Sequence, residues 1–320
     1  MHLQVLRMDP AYAAGARSLP SWSLCLCLAA MGLRNATGRH RRARLTTAVG
    51  TRLIPAIPFF EEELRLLPAL VPPGGTCLDV GAAHGIYTVA MAAAVGPTGR
   101  VVAFEPQPLP RRVALSVRRA LGLRRVVELQ RCALGDRTGE EVLVVPYRGR
   151  MPVSGRAFLD QVDALVDQHR GATTGEPDLG GPHPGGPHPG GPDLEAEDLA
   201  EFTGARRISV RTRPLDAVVE ELALERLDLI KIDVEGAELR TLVGGEHALS
   251  TFRPALIVEI ESRHTARYGH GAESVFRWLA DRGYRAAVYE RRRLRATDGV
   301  VEGARNYLFV PNSRSARSVW

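Results

Sequence analysis

From about residue 59 onward, apolar runs alternate with amphipathic ones. In "IPFFEEELRLLPALV", Phe59, Phe60, Leu64 and Leu67 recur at helical spacing, and Pro72-Pro73-Gly74-Gly75 ends the helix this predicts. The spacing then predicts a strand at "TCLDVG", a helix at "GIYTVAMAAAVG", a strand at "RVVAFEP", a helix at "RRVALSVRRALGL" and a single strand at "VVELQRCALG". Farther on, "LDLIKIDVEG" and "PALIVEI" read as strands, with "AELRTLVGG" and "AESVFRWLADRG" as helices after them. "YRAAVYE" and "RNYLFVP" close the series as strands. Strands that are apolar throughout and alternate with helices predict an α/β fold: a doubly wound, mostly parallel sheet covered on both faces.

One stretch interrupts this rhythm. "EEVLVVPY" and "RRISVRTRPL" alternate apolar and polar positions and are expected to pair as an outlying hairpin. Between them lies the repeat "GGPHPGGPHPGGPD". Its prolines remove donors and its glycines raise chain entropy, so a disordered Gly/Pro/His-rich insertion is expected at about 171–198. His183 and His188 read as incidental to that linker rather than as metal ligands. At the other end, "LPSWSLCLCLAAMGL" is too short and broken to span a bilayer, and the basic run "GRHRRAR" follows it. Residues 1–50 are therefore expected to be a basic, flexible extension. An ordered domain is expected over 51–312, with a tail at 313–320.

Composition narrows the partners. The chain has 320 residues, 45% of them hydrophobic and 24% charged, which suits one large globular domain. Its formal charge is +6, but the arginines are scattered, with no zinc-finger spacing and no aromatic-rich basic stretch. A small-molecule partner is expected, with no nucleic acid and no membrane. Cys25, Cys27, Cys77 and Cys132 have no metal-ligand spacing and fit a reducing cytoplasm.

The candidate chemistry sits after the strands, because open α/β sheets bind ligands outside their carboxyl ends. "DVGAAHG" supplies Asp79, Gly81 and Gly85, and Glu105 ends the second strand about where a ribose-binding acid belongs. The loop reads D-x-G-x-x-x-G rather than G-x-G-x-x-G. An acid beside it disfavours a pyrophosphate and suits a cationic nucleoside such as S-adenosylmethionine. A nicotinamide-dependent oxidoreductase and a non-catalytic cofactor-binding module remain as alternatives.

The segments "CLDVGAAHGIYTVAMA", "VVAFEPQP", "ALGDRTGE", "RPLDAVVEE", "LDLIKIDVEGAELRTLVGGEHAL", "RPALIVEIE" and "NYLFVP" together resemble the FkbM family of S-adenosylmethionine-dependent methyltransferases. The resemblance runs from about Cys77 to Pro311. It implies the class I methyltransferase (Rossmann-like) fold with a final antiparallel strand, and methyl transfer, typically to oxygen, on a sugar or other small metabolite. It implies a cofactor set of Asp79, Gly81, Gly85, Glu105, Asp136 and Asp233. The chain departs from the family at Ala83, where Asn is usual, and at His84, where an aliphatic residue is usual.

Lys231 is the only lysine, against 41 arginines. It stands two residues before Asp233, so both face one side of the strand. Lys231, Asp233 and Glu259 are the candidate catalytic residues, with His84 as a further candidate base. A lysine acting as base needs its pKa lowered by burial; the competing reading is a buried structural ion pair. Asp233 and Glu259 also suit a divalent metal, for which the sequence offers no other ligand. Glu238 suits a helix N-terminus whatever the function.

Overall fold

The computed structural model describes residues 61–148, 151–160 and 202–313. Phe59, Phe60, Cys25, Cys27, residues 1–50, the Gly/Pro/His-rich insertion with His183 and His188, and nearly all of the 313–320 tail lie outside the described residues.

The main sheet has eight strands. In chain order they are β1 (Thr76–Val80), β2 (Arg100–Phe104), β3 (Val127–Gln130), β9 (Leu229–Ile232), β10 (Ala255–Glu259), β11 (Tyr284–Glu290), β12 (Arg293–Thr297) and β13 (Asn306–Pro311). Their spatial order is β12-β11-β13-β10-β9-β1-β2-β3. The strands β3, β2, β1, β9 and β10 run parallel, while β13 lies antiparallel between β10 and β11. This is the class I methyltransferase arrangement, with one extra antiparallel strand, β12, at the edge. The sequence reading had not foreseen β12, because "RRRLRATDG" is too polar to signal a strand; only five residues of pairing hold it.

Each strand feeds both faces. Leu78, Val80, Ile230, Ile232, Leu256 and Val258 pack into one core, and Cys77, Leu229, Ala255 and Ile257 into the other. Helices α1 (Leu67–Leu70), α2 (Ile86–Val95), α3 (Pro108–Ala120), α4 (Leu215–Glu221), α5 (Glu238–Val243), α6 (Glu246–Phe252), α7 (Ser262–Thr265) and α8 (Glu273–Asp281) complete the layers. In α3 the buried positions Pro110, Ala114 and Val117 fall at i, i+4 and i+7, one helical stripe facing the sheet.

The hairpin forms a second sheet. β5 (Gly139–Arg148) pairs antiparallel with β8 (Gly204–Pro214), flanked by β4 (Ala133–Gly135), β6 (Met151–Pro152) and β7 (Phe158–Leu159). The expected single strand "VVELQRCALG" is in fact two. The chain leaves the main sheet after Gln130, and Ala133–Gly135 joins β8 instead. Leu143, Val145, Ala157, Leu159 and Val210 give this sheet a small core that also takes up Ala237 from the main domain.

Candidate functional site

A cavity opens at the carboxyl ends of β1, β2, β9 and β10, roofed by Gly155, Arg156, Ala157 and Leu159 of the second sheet. Glu105 lines it. The residue is 3% exposed, yet both carboxylate oxygens are anchored: Oε2 accepts the Ala83 N–H at 2.9 Å and Oε1 the Gln107 N–H at 2.7 Å. Burial pushes its pKa up to about 7, against the pull of those two N–H groups.

The loop after β1 is built around Gly81. Its φ is +82°, and a Cβ there would stand 1.7 Å from the Asp233 carbonyl oxygen, so only glycine lets the ends of β1 and β9 approach. Ala83, in the same loop, has φ 45°, a left-handed conformation that Asn adopts more readily than Ala. Gly85 does not line the cavity. It starts α2 in the left-handed region, and its missing Cβ would meet Ala114, so it sets how α2 packs on α3.

Strand parity brings four polar groups to one face. Asp79 stands opposite Lys231, and Glu259 opposite Asn306. Lys231 is 1% exposed. Its Nζ donates to Asn306 Oδ1 at 3.0 Å, and lies 3.7 Å from Asp233 Oδ2, 4.0 Å from Glu259 Oε2 and 5.1 Å from the centre of the Tyr87 ring. Burial alone lowers an ammonium's pKa, but the carboxylates of Asp233, Glu61, Glu259 and Asp79 overcome it and hold Lys231 above its usual range. That direction is the one a structural ion pair gives, not the lowered pKa a lysine base needs. Glu259 is pushed up as well, far above the carboxylate range, by burial and by the neighbouring Asp233 carboxylate. Asp233 and Glu259 both line the cavity.

Asp79 stands behind this front and does not line the cavity. It is 1% exposed and accepts the Thr88 hydroxyl, and burial raises its pKa to about 6. His84 is buried outside the lining as well. Asp136 lies elsewhere: its Oδ1 takes Arg240 Nε at 2.9 Å and Nη2 at 2.7 Å, while the same guanidinium grips Glu141 of β5. Its place in the motif reflects a clamp between the two sheets rather than a contact in the cavity. Glu238 is 2% exposed and accepts the Gly236 N–H at 2.9 Å, which fixes the loop after β9.

Two groups escaped the sequence reading. His264, on the turn after β10, lines the cavity, and its Nδ1 is 2.8 Å from Glu235 Oε2. Its signal was its place just past a strand's carboxyl end, in "EIESRHT". Arg156 and Arg305 also line the cavity, and a chain so rich in arginine gave no reason to single them out. Among the described residues no three His, Cys, Asp or Glu side chains are grouped to hold a metal, and no helix is long and apolar enough to cross a membrane.

The family model for the methyltransferase FkbM domain matches residues 79–286. The chain belongs to the FkbM methyltransferase family. The match begins at Asp79 and takes in every FkbM segment that builds the cavity, apart from Arg305. Among known proteins, the chain is 30% identical over 241 residues to the AMB antimetabolite synthetase AmbE of Pseudomonas aeruginosa, covering 75% of this chain and 11% of that protein. It is 29% identical over 184 residues to the methyltransferase sdnD of Sordaria araneosa, covering 55% of this chain and 62% of that one. The chain thus spans less than two thirds of either relative. Among solved structures, it is similar to the methyltransferase FkbM of Methylobacillus flagellatus, with a TM-score of 0.43, 13% identity, and coverage of 94% of this chain and 61% of the other. An O-methyltransferase of Bacillus cereus solved with SAH gives a TM-score of 0.37 at 12% identity, covering 94% and 96%.

Proposed function

We propose that this FkbM-family protein transfers a methyl group from S-adenosylmethionine to a hydroxyl on a small metabolite or sugar, in the cytoplasm. The observation that carries this reading is Glu105. A buried carboxylate at the end of β2, anchored from behind by two backbone N–H groups, is set to accept hydrogen bonds from a vicinal diol such as a ribose. The cavity walls carry the acids Glu105, Asp233, Glu235, Glu259 and Glu261 against the cations Arg156 and Arg305, and with Glu259 neutral the acids still outnumber the arginines, which favours a cation over a pyrophosphate. This argues for a sulfonium nucleoside over a nicotinamide dinucleotide, the alternative raised by the sequence.

Bound there, S-adenosylmethionine supplies an electrophilic methyl group. The chain's own residues hold and orient. Glu105 binds the ribose, and the Asp233 carboxylate at the end of β9 faces the cationic end. Lys231 stays protonated behind Asp233 and Glu259 and fixes their position with Asn306. Two relatives named as a methyltransferase and an antimetabolite synthetase fit a small-molecule acceptor.

Calorimetry on the full chain with S-adenosylmethionine, S-adenosylhomocysteine and NAD tests the reading. Binding of the first two and not of NAD is expected. Binding of NAD alone, or S-adenosylmethionine affinity unchanged in a folded Glu105→Ala variant, refutes it.

A further inference from the structure

Methyl transfer to an unactivated hydroxyl needs a base, and the first candidates fail that role. The acids around Lys231 hold its ammonium protonated, and burial and the Asp233 carboxylate push Glu259 far above the carboxylate range. Neither side of that cluster offers a free lone pair.

The turn after β10 does. His264 is 4% exposed, and it lines the cavity together with Asp233, Glu259, Glu261, Arg156 and Arg305. Its Nδ1 faces Glu235 Oε2 at 2.8 Å, and Glu235 lines the cavity too. The approach is close without an aligned hydrogen bond, and both Glu235 Oε2 and Nε2, at the other end of the ring, are buried with no hydrogen-bond partner among the described residues. A histidine serving only to stabilise a core ordinarily satisfies both nitrogens. Imidazole is also the side chain whose ordinary titration lies nearest neutral pH.

The backbone around the pair is unusual. Glu235 has φ 53°, a left-handed conformation that a glutamate rarely takes. Gly236 follows at φ 110°, and a Cβ on it would stand 2.4 Å from the His264 carbonyl oxygen. The loop after β9 is thus pressed onto the His264 turn, and its strained residue is the one whose carboxylate meets the ring. Strain of this kind persists where the surroundings over-determine it, and it gathers at functional sites. Glu238 holds the same loop from below through the Gly236 N–H.

We propose that His264 is the general base of the reaction, taking the acceptor's proton on Nε2, with Glu235 as the positioning residue that keeps the ring's own proton on Nδ1. The assignment rests on the methyl-transfer reading above. As the acceptor oxygen bonds to the methyl carbon, the carbon–sulfur bond breaks and its electron pair stays on sulfur, leaving a neutral thioether. The hydroxyl proton passes to Nε2. Positive charge thus moves from sulfonium to imidazolium, where the Glu235 carboxylate faces it, and the imidazolium then loses its proton to water. The acceptor class follows: a hydroxyl that still carries its proton at neutral pH, rather than one already ionised.

The test is nitrogen-15 NMR on the full chain labelled at histidine, with the His264 signals assigned by their loss in His264→Gln. In the free protein the proton is expected on Nδ1, with a pyridine-like Nε2. In the protein loaded with S-adenosylhomocysteine, phenol or benzyl alcohol is expected to shift the Nε2 signal. Glu235→Gln keeps an oxygen to accept the Nδ1–H and should retain the tautomer, whereas Glu235→Ala should lose it. A proton found on Nε2, a tautomer indifferent to Glu235→Ala, or an Nε2 signal that ignores both probes overturns the assignment. Calorimetry with S-adenosylhomocysteine on the same sample separates the two levels: absent binding sinks the methyl-transfer reading, while the tautomer in the free protein still reports on the dyad.

Discussion

Gly81 and Gly85 occupy one loop and share a left-handed φ, yet the structure predicts very different costs for adding a single methyl group to each. At Gly85 the new Cβ would meet Ala114 Cβ at 3.4 Å, an ordinary contact. Gly85→Ala therefore carries only the left-handed cost for a residue with a side chain, about 1–2 kcal/mol. At Gly81 the Cβ would stand 1.7 Å from the Asp233 carbonyl oxygen, where real Cβ atoms stay beyond 3.0 Å. Either the loop or the end of β9 must retreat by the difference, 1.3 Å. Forcing such a shift in a packed region adds about 1–3 kcal/mol, for a total of about 2–5 kcal/mol. Asp233 moves with its carbonyl, so the cavity loses its shape as well. Urea unfolding monitored by circular dichroism measures the first effect, and calorimetry with S-adenosylmethionine the second. Gly85→Ala is expected to bind nearly as the wild type does, and Gly81→Ala to lose at least tenfold in affinity. A Gly81→Ala protein as stable as Gly85→Ala, or binding as tightly, would show that the close approach of β1 and β9 does not govern the site.

Glu105→Ala should weaken S-adenosylmethionine binding by about 1.5–3 kcal/mol, the range for hydrogen bonds to a charged group, without loss of secondary structure in circular dichroism. Burial raises the Glu105 pKa to about 7, so the carboxylate that a ribose needs forms as pH climbs. Affinity measured by calorimetry should thus increase between pH 6 and pH 8. The same shift has the opposite sign for the ligand-free protein. Between the unfolded value, about 4.5, and about 7 the folded state holds more protons than the unfolded one, so denaturation midpoints should fall with rising pH across that window. Lys231→Met removes the ammonium that Asp79, Asp233 and Glu259 surround and should cost about 3–5 kcal/mol. In urea the deficit should be smaller at pH 5, below the Asp79 pKa that burial raises to about 6; a deficit independent of pH would argue against charge balance. Arg240→Ala removes the bonds to Asp136 and Glu141 and should lower stability by about 1.5–3 kcal/mol, read as an earlier urea midpoint, while S-adenosylmethionine affinity stays within about threefold.

The main sheet was readable because its strands are apolar on both faces and its helices carry stripes, patterns dictated by burial. Parity alone put Lys231 and Asp233 on one side of β9. The break between Gln130 and Ala133 was not readable: "VVELQRCALG" has one continuous propensity, and only pairing with β8, more than seventy residues away, divides it. Glu105 could be placed from spacing, since the distance from a glycine loop to the next strand end is nearly constant. Asp136 could not, because nothing near it in sequence announces Arg240. His264 was missed for a related reason. Its partner Glu235 comes from a different strand end, and the unsatisfied Nε2 that marks it is a property of packing. Which of the two readings of Lys231 applies was not legible either, because it turns on the four carboxylates that three-dimensional packing gathers around it.

The position of β13 bears on how the protein is made. All six of its residues are buried, and it fills the slot between β10 and β11 while supplying Asn306 to Lys231. Yet among the described strands it comes last in the chain. Roughly fifty residues separate β10 from the end of β13, about 3–10 s of synthesis at ~5–20 residues per second. Throughout that interval β10 lacks its neighbour and shows an open edge, joined by β11 once it emerges, and each offers a template for pairing with another chain. The lone lysine spends the same seconds without its neutral hydrogen-bond acceptor. The nascent chain, rather than the finished fold, is therefore the stage most vulnerable to misassembly, and the one at which a chaperone has most to protect.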